Sequence, residues 1–192
     1  MARSFKNPRT GRHLVRNQSD RIPGAKVQAL AIHSTESHPR PGNDDIDAIQ
    51  NWFDNPASQA SSHYCIDDAG RSRQLVDEHR KAWTIGLANS WTVNYELIGF
   101  ASGTWKHRKQ LKKLAQHLAY SSRKHGVPLR KGKVGNVGGR CVCTRSGVIF
   151  HSDVTAAGFG THTDPGKRFP LTTVLATALW YRRHGWLPGR PD

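Results

Sequence analysis

The chain has 192 residues, enough for one domain and too few to give two halves a sizeable core each. Lysine and arginine number 29 against 14 acids, a net charge of +15, yet 36% of the residues are hydrophobic, with Trp 6, Phe 6 and Tyr 4. That bulky apolar content excludes a disordered basic tail, and Cys 3 excludes a disulfide scaffold, so a folded domain with reduced thiols and a cationic surface is expected.

Residues 1–26 read as an irregular, basic lead-in with seven cations and one acid, Asp20. They hold no apolar stretch of a secretory signal, and no run approaches the roughly 18 apolar residues of a membrane span. Synthesis in a cytoplasm without a signal peptide is therefore expected. "KVQALAIH" reads as a buried strand ending at His33. Asn43 is placed to cap a helix with Asp44, Asp45 and Asp47 in its first turn and Ile46, Ile49 and Phe53 on one face. "SSHYCI" and "SRQLV" flank a "DDAG" turn as a hairpin, and "TVNYELIGF" is a further strand. The longest helix is predicted from about Trp105 to Lys124, with Leu111, Leu114, Ala115, Leu118 and Ala119 as its stripe, ended by Gly126 and Pro128. "KGKVGNVGGR" reads as a glycine-rich basic loop without phosphate-loop spacing. "GVIF" is a short strand delivering His151, and a loop leads on to "DPG". Pro170 starts a last helix with Leu171, Val174, Leu175, Ala178 and Leu179 on one face, and Trp180, Trp186 and Pro188 are expected to seal its end. Strands alternating with helices around a hairpin give an α/β class: a single domain with a mixed central sheet flanked by helices.

The cations are unevenly placed. From Thr104 to Arg145 there are twelve lysines or arginines and no acid. Such a block attracts polyanions: nucleic acid, anionic lipid or acidic wall polymer. No zinc-finger, RNA-recognition or helix-turn-helix signature accompanies it, so no specific nucleic acid is expected.

Of the His 11 residues, two stand out by position. His33 and His151 each follow a strand directly, where sites in open α/β sheets lie. Asp164 follows in "HTDPG", whose Pro-Gly turn can aim its carboxylate. Two histidines and a carboxylate suit a zinc ion with its fourth position open to water. Cys65, Cys141 and Cys143 read as small buried residues, the last two on one strand face.

"AIHSTES", "SSHYCIDDAGRSRQLVDEHRKAW", "YELIG", "FHSDV" and "HTDPGKRFP" in this order resemble the motifs of the zinc-dependent type 2 N-acetylmuramoyl-L-alanine amidases, relatives of the peptidoglycan recognition proteins. The likeness covers about residues 27–185 and implies a catalytic domain over 27–192. It implies one Zn2+ held by His33, His151 and Asp164. It gives Glu96 the proton-carrying role, and puts His162 where many relatives have an oxyanion-stabilising lysine. His63, Trp83 and Asn89 fall on the implied substrate side, although packing is an equal reading of Trp83 and the favoured one of His63. Asp153 is read as a supporting residue. Thr84 stands where a histidine is frequent, Phe150 where glycine is common, and the loop from Ser152 to Thr163 is longer than in some relatives. The implied reaction is attack of a zinc-activated water on the lactyl carbonyl of N-acetylmuramic acid, releasing a peptide that begins with L-alanine. Length, charge and the missing signal resemble a phage endolysin, expected to be a monomer that acts on peptidoglycan and anionic wall polymers after release. A non-catalytic wall-binding module, a nucleic-acid binder and an amidase recycling small muropeptides are the alternatives.

Overall fold

Ala29–Ser34 is buried along its whole length and forms a strand, β3 in chain order, whose two faces differ in chemistry. The structure, a computed structural model, describes residues 6–39 and 44–185. Two short strands precede it, β1 (Gly11–Arg12) and β2 (Gln18–Asp20). After it come α1 (Asp44–Asp54), β4 (Tyr64–Ile66), β5 (Ser72–Gln74), β6 (Arg80–Ala82) and β7 (Thr92–Leu97). The chain closes with α2 (Arg108–His125), β8 (Lys133–Val137), β9 (Arg140–Arg145), β10 (Gly147–Phe150), α3 (His151–Ala156) and α4 (Leu171–His184).

The main sheet has six strands in the order β1-β5-β4-β7-β3-β10. Only β4 and β5 run antiparallel, as the expected hairpin; the other neighbours are parallel. This is the mixed sheet anticipated from the alternation of strands and helices.

Alternation along each strand decides what covers each face. Leu30 and Ile32, Val93, Tyr95 and Leu97, and Val148 point to one side. There they pack with Leu114 and Leu118 of α2 and Val174, Ala178 and Tyr181 of α4. Each fully buried leucine of this layer stabilises the fold by about 1.5–3 kcal/mol. Ala29 and Ala31 face the other way and meet Ile85, Trp91, Cys141, Ile149 and Val154. His33, Asn94 and Glu96 have the strand parity of this second face, which carries small and polar residues instead of large apolar ones.

Several expectations are corrected. The lead-in is part of the fold: β1 extends the main sheet beside β5, β2 pairs with β6, and Val15 is fully buried in a core with Phe53 and Leu75. The Arg21 guanidinium donates to the carbonyls of Glu78, Asn89, Ser90 and Thr92, tying the segment to the start of β7. The glycine-rich loop is an antiparallel ribbon, β8 against β9, turning at Gly138 and Gly139. The segment after His151 is helical. On α4, Tyr181 takes the buried position and Leu179 and Trp180 stay exposed, so Trp180 seals nothing. Asn43, Trp186 and Pro188 lie outside the described residues. Cys141 and Cys143 do share a face, and Cys65 is fully buried.

Candidate functional site

Strand register brings the first residues together. His33 is level with Glu96 on β7, and Ile32 is level with Phe150 on β10. His33, Glu96 and His151 therefore sit side by side at the carboxyl ends of three adjacent parallel strands. His151 opens α3, whose start is fixed when Phe150 N donates to Asp153 Oδ2 at 2.6 Å. Lys131 closes an ion pair with the same carboxylate. Asp153 thus supports the helix end.

Asp164 comes from the far end of the chain, and its turn is held from three sides. Ser152 N donates to Asp164 O, Trp105 Nε1 to Pro165 O, and Gly166 N to Thr163 O. Gly166 has φ +86, and a β-carbon there would run into the Ala101 carbonyl, so the turn requires glycine. The result is a buried triad. His33 Nδ1 lies 3.2 Å from His151 Nδ1 and 3.2 Å from Asp164 Oδ2, and His151 Nδ1 lies 3.4 Å from Asp164 Oδ1.

These separations fit a metal ion. Zinc bonds of 2.0–2.2 Å in a tetrahedron set ligand atoms roughly 3.3–3.6 Å apart. Among the described residues this is the one group of histidines and carboxylates so arranged. Burial pushes the His151 imidazole down, which favours its neutral, ligating form. Burial opposes ionisation of Asp164, but the adjacent His151 and His33 imidazoles outweigh that and hold the carboxyl well below its usual range. Glu96 is buried beside the triad, and burial pushes its carboxyl up to about 7. Its Oε2 has no hydrogen-bond partner, nor has Asp164 Oδ2. Orphaned buried oxygens are costly and rare, and here they face a shared space.

That space is a cleft of about 260 Å³ lined by the triad, Glu96, His162, Trp83, Thr84 and, on α1, Trp52. His162 stacks flat on His151, with ring centroids 3.9 Å apart, and its side chain is 62% exposed. Trp83 is anchored by its Nε1 donating to Ser19 Oγ. The Thr84 hydroxyl donates to Ser61 O, so it locks two loops together.

Two expected substrate residues are elsewhere. His63 is fully buried away from the cleft; Nδ1 accepts from Asn94 N and Nε2 donates to Arg80 O. Asn89 folds its Oδ1 back onto the N–H groups of Thr84 and Ile85 and shapes that loop. Both positions are structural. Asn94, which the sequence reading passed over, accepts from His33 Nε2 at 3.1 Å. Its signal was available: it lies two residues before Glu96 on a strand, hence on the same face.

Both the chain and its fold resemble known proteins. A 57-residue stretch is 39% identical to N-acetylmuramoyl-L-alanine amidase A of Achromobacter lyticus, covering 28% of this chain and 32% of that relative. The fold is similar to an AmpD crystal structure, with TM-score 0.64, 17% identity, and coverage of 92% of this chain and 99% of that one. It is also similar to the Staphylococcus aureus hydrolase AmiA, with TM-score 0.67, 15% identity, and coverage of 93% and 86%. A mutant endolysin from Bacillus subtilis gives TM-score 0.59 at 15% identity, with coverage of 88% and 99%. The family described as N-acetylmuramoyl-L-alanine amidase (Amidase_2) matches residues 23–167, and the chain belongs to that family.

Proposed function

We propose that the protein is a zinc-dependent amidase that cleaves the bond between the lactyl group of N-acetylmuramic acid and L-alanine in peptidoglycan. The observation that carries this reading is the convergence of His33, His151 and Asp164 at ligand spacing beside a buried glutamate with a free oxygen. His33 Nδ1, His151 Nδ1 and one Asp164 oxygen hold the ion. When bound, zinc supplies Lewis acidity toward a water and toward the scissile carbonyl. Glu96 accepts the proton of the attacking water on its unpartnered oxygen and delivers it to the leaving amine, a role suited by a pKa near neutrality. His162 faces the cleft from its exposed rim, where a ring N–H can donate to the developing oxyanion. Trp83 and Trp52 supply flat apolar walls for the glycan or the stem peptide.

The insoluble wall fits this surface better than a small muropeptide. On the β8–β9 ribbon, exposed Lys133 and Arg145 face each other in register, with exposed Arg130 nearby in the chain. Like charges set opposite are destabilising unless an anion joins them. We read the ribbon as a contact for anionic wall polymer, and the protein as a wall-lysing enzyme of the endolysin kind acting as a monomer. Among the described residues no helix is long and apolar enough to cross a membrane.

The test is lysis of purified sacculi by the zinc-loaded protein, read as new amino-terminal L-alanine. The wild type releases it and Asp164→Ala releases none while staying folded. Equal release by Asp164→Ala would overturn the reading. Raising salt to 1 M should weaken sacculus binding, and unchanged binding removes the ribbon's role.

A further inference from the structure

One chain of buried hydrogen bonds behind the metal site has a direction fixed by the backbone. The Ala88 carbonyl can only accept, so the Thr92 hydroxyl 3.0 Å away donates to it. That uses the hydroxyl's single proton, and Thr92 Oγ1 therefore accepts from Asn94 Nδ2 at 3.2 Å. The amide is thereby oriented, with Oδ1 toward His33 Nε2 at 3.1 Å. An amide oxygen only accepts, so His33 Nε2 carries a proton. With Nε2 committed to the amide, Nδ1 is the nitrogen left to bind a cation on giving up any proton it shares with Asp164, and it is the atom 3.2 Å from His151 Nδ1 and from Asp164 Oδ2. Thr92 and Asn94 are fully buried, so water does not compete for these bonds. The strand itself is pinned at the same point, where Asn94 N donates to His63 Nδ1 at 3.0 Å.

We propose that Thr92 and Asn94 are positioning residues that lock His33 with its proton on Nε2, and so aim Nδ1 at a divalent cation. The proposal rests on the reading of His33, His151 and Asp164 as a zinc site. A partner on the far ring nitrogen fixes both the protonation site and the ring angle of a metal-bound histidine, and its loss typically weakens metal binding roughly 10- to 100-fold. Thr92 acts one bond further out: without its hydroxyl, nothing prevents the Asn94 amide from rotating its nitrogen toward His33.

Two measurements on the full chain test this. Nitrogen-15 NMR of the zinc-free wild type at pH 8.5 should show a proton on His33 Nε2. Zinc affinity, measured by competition with a chromogenic chelator, should fall roughly 10- to 100-fold in Asn94→Leu. It should fall less but in the same direction in Thr92→Val, and recover in Thr92→Ser, which keeps the hydroxyl. A proton on Nδ1 alone in the wild type would overturn the proposal, as would unchanged zinc affinity in both Asn94→Leu and Thr92→Val. Should Asn94→Leu fail to fold, the wild-type spectrum and the Thr92 pair still decide. A wild type that binds no zinc but carries the Nε2 proton overturns the zinc reading while upholding the lock, so the two failures are distinct.

Discussion

Two clusters of buried polar side chains lie at opposite ends of β7, and they differ in one respect. At its start, Arg21 satisfies four carbonyls, and the Glu78 carboxylate accepts from Tyr64, Ser121 and His125 with Lys124 alongside. Its oxygens and the guanidinium nitrogens all have partners. Near its end, Glu96 Oε2 and Asp164 Oδ2 have none, and three ligand-type atoms crowd within 3.4 Å. A saturated polar cluster holds chain segments together; an unsaturated one keeps binding capacity in reserve for an ion and a substrate.

The carboxylates allow the sharpest contrast. Glu96→Gln should lower kcat by about 10²- to 10⁴-fold in sacculus hydrolysis with zinc still bound. Glu78→Ala should do the reverse, costing on the order of 3 kcal/mol in denaturant unfolding by stranding its buried donors, with kcat per folded molecule unchanged. If Glu78→Ala kills activity without loss of stability, the two clusters have been assigned the wrong roles.

Arg21→Ala comes next in size. Bonds from a charged donor contribute about 1.5–3 kcal/mol each, and several would be lost together. Urea unfolding should show a loss of several kcal/mol, and a stability within 0.5 kcal/mol of wild type, about the spread of neutral surface changes, would contradict the stitching role.

Acid separates the clusters by titration. His63 and His117 are each lowered to about 3, by burial first and then by Arg21 and Lys113 respectively. Because their folded pKa lies below the unfolded 6.5, their contribution is complete above pH 6.5 and is lost as pH falls toward 3. Each adds a slope of at most about 1.4 kcal/mol per pH unit in that window. Burial pushes Glu78 up, but His125, Lys124 and Ser121 outweigh it and bring it down to about 2. Its contribution is present above pH 4.5 and lost as pH falls toward 2. Stability measured between pH 7 and 3 should fall steadily, and His117→Gln should flatten the curve. A flat wild-type profile would refute the part of these three buried groups in it.

Trp52→Ala is the mildest test. The ring is 56% exposed on the cleft rim, so KM should rise several-fold with kcat nearly unchanged. A larger effect on kcat would move Trp52 into the reacting region.

The site was legible where local signals place strand ends. His33 and His151 follow apolar runs, and a strand terminus is where a parallel sheet presents its ligands. Asp164 was legible through its Pro-Gly turn, and Glu96 through the family resemblance. What escaped depends on register between distant segments. For His63 the family resemblance implied a substrate side while packing was the favoured reading, because nothing in "SSHY" says which end of the sheet its ring serves. The lead-in's strands are two and three residues long with no apolar alternation, and they exist only because β5 and β6 offer edges. The β8–β9 ribbon was hidden by its glycines, although the one-face spacing of Cys141 and Cys143 already implied a strand.

On our proposal, three side chains from distant parts of the chain hold one zinc ion beside Glu96 for amide cleavage. Mass spectrometry of sacculi digested by the zinc-loaded and the chelator-stripped protein tests it most directly. The loaded protein alone should yield intact glycan strands and free stem peptides beginning with L-alanine. Cleavage at another bond, or the same products after the metal is removed, would contradict it.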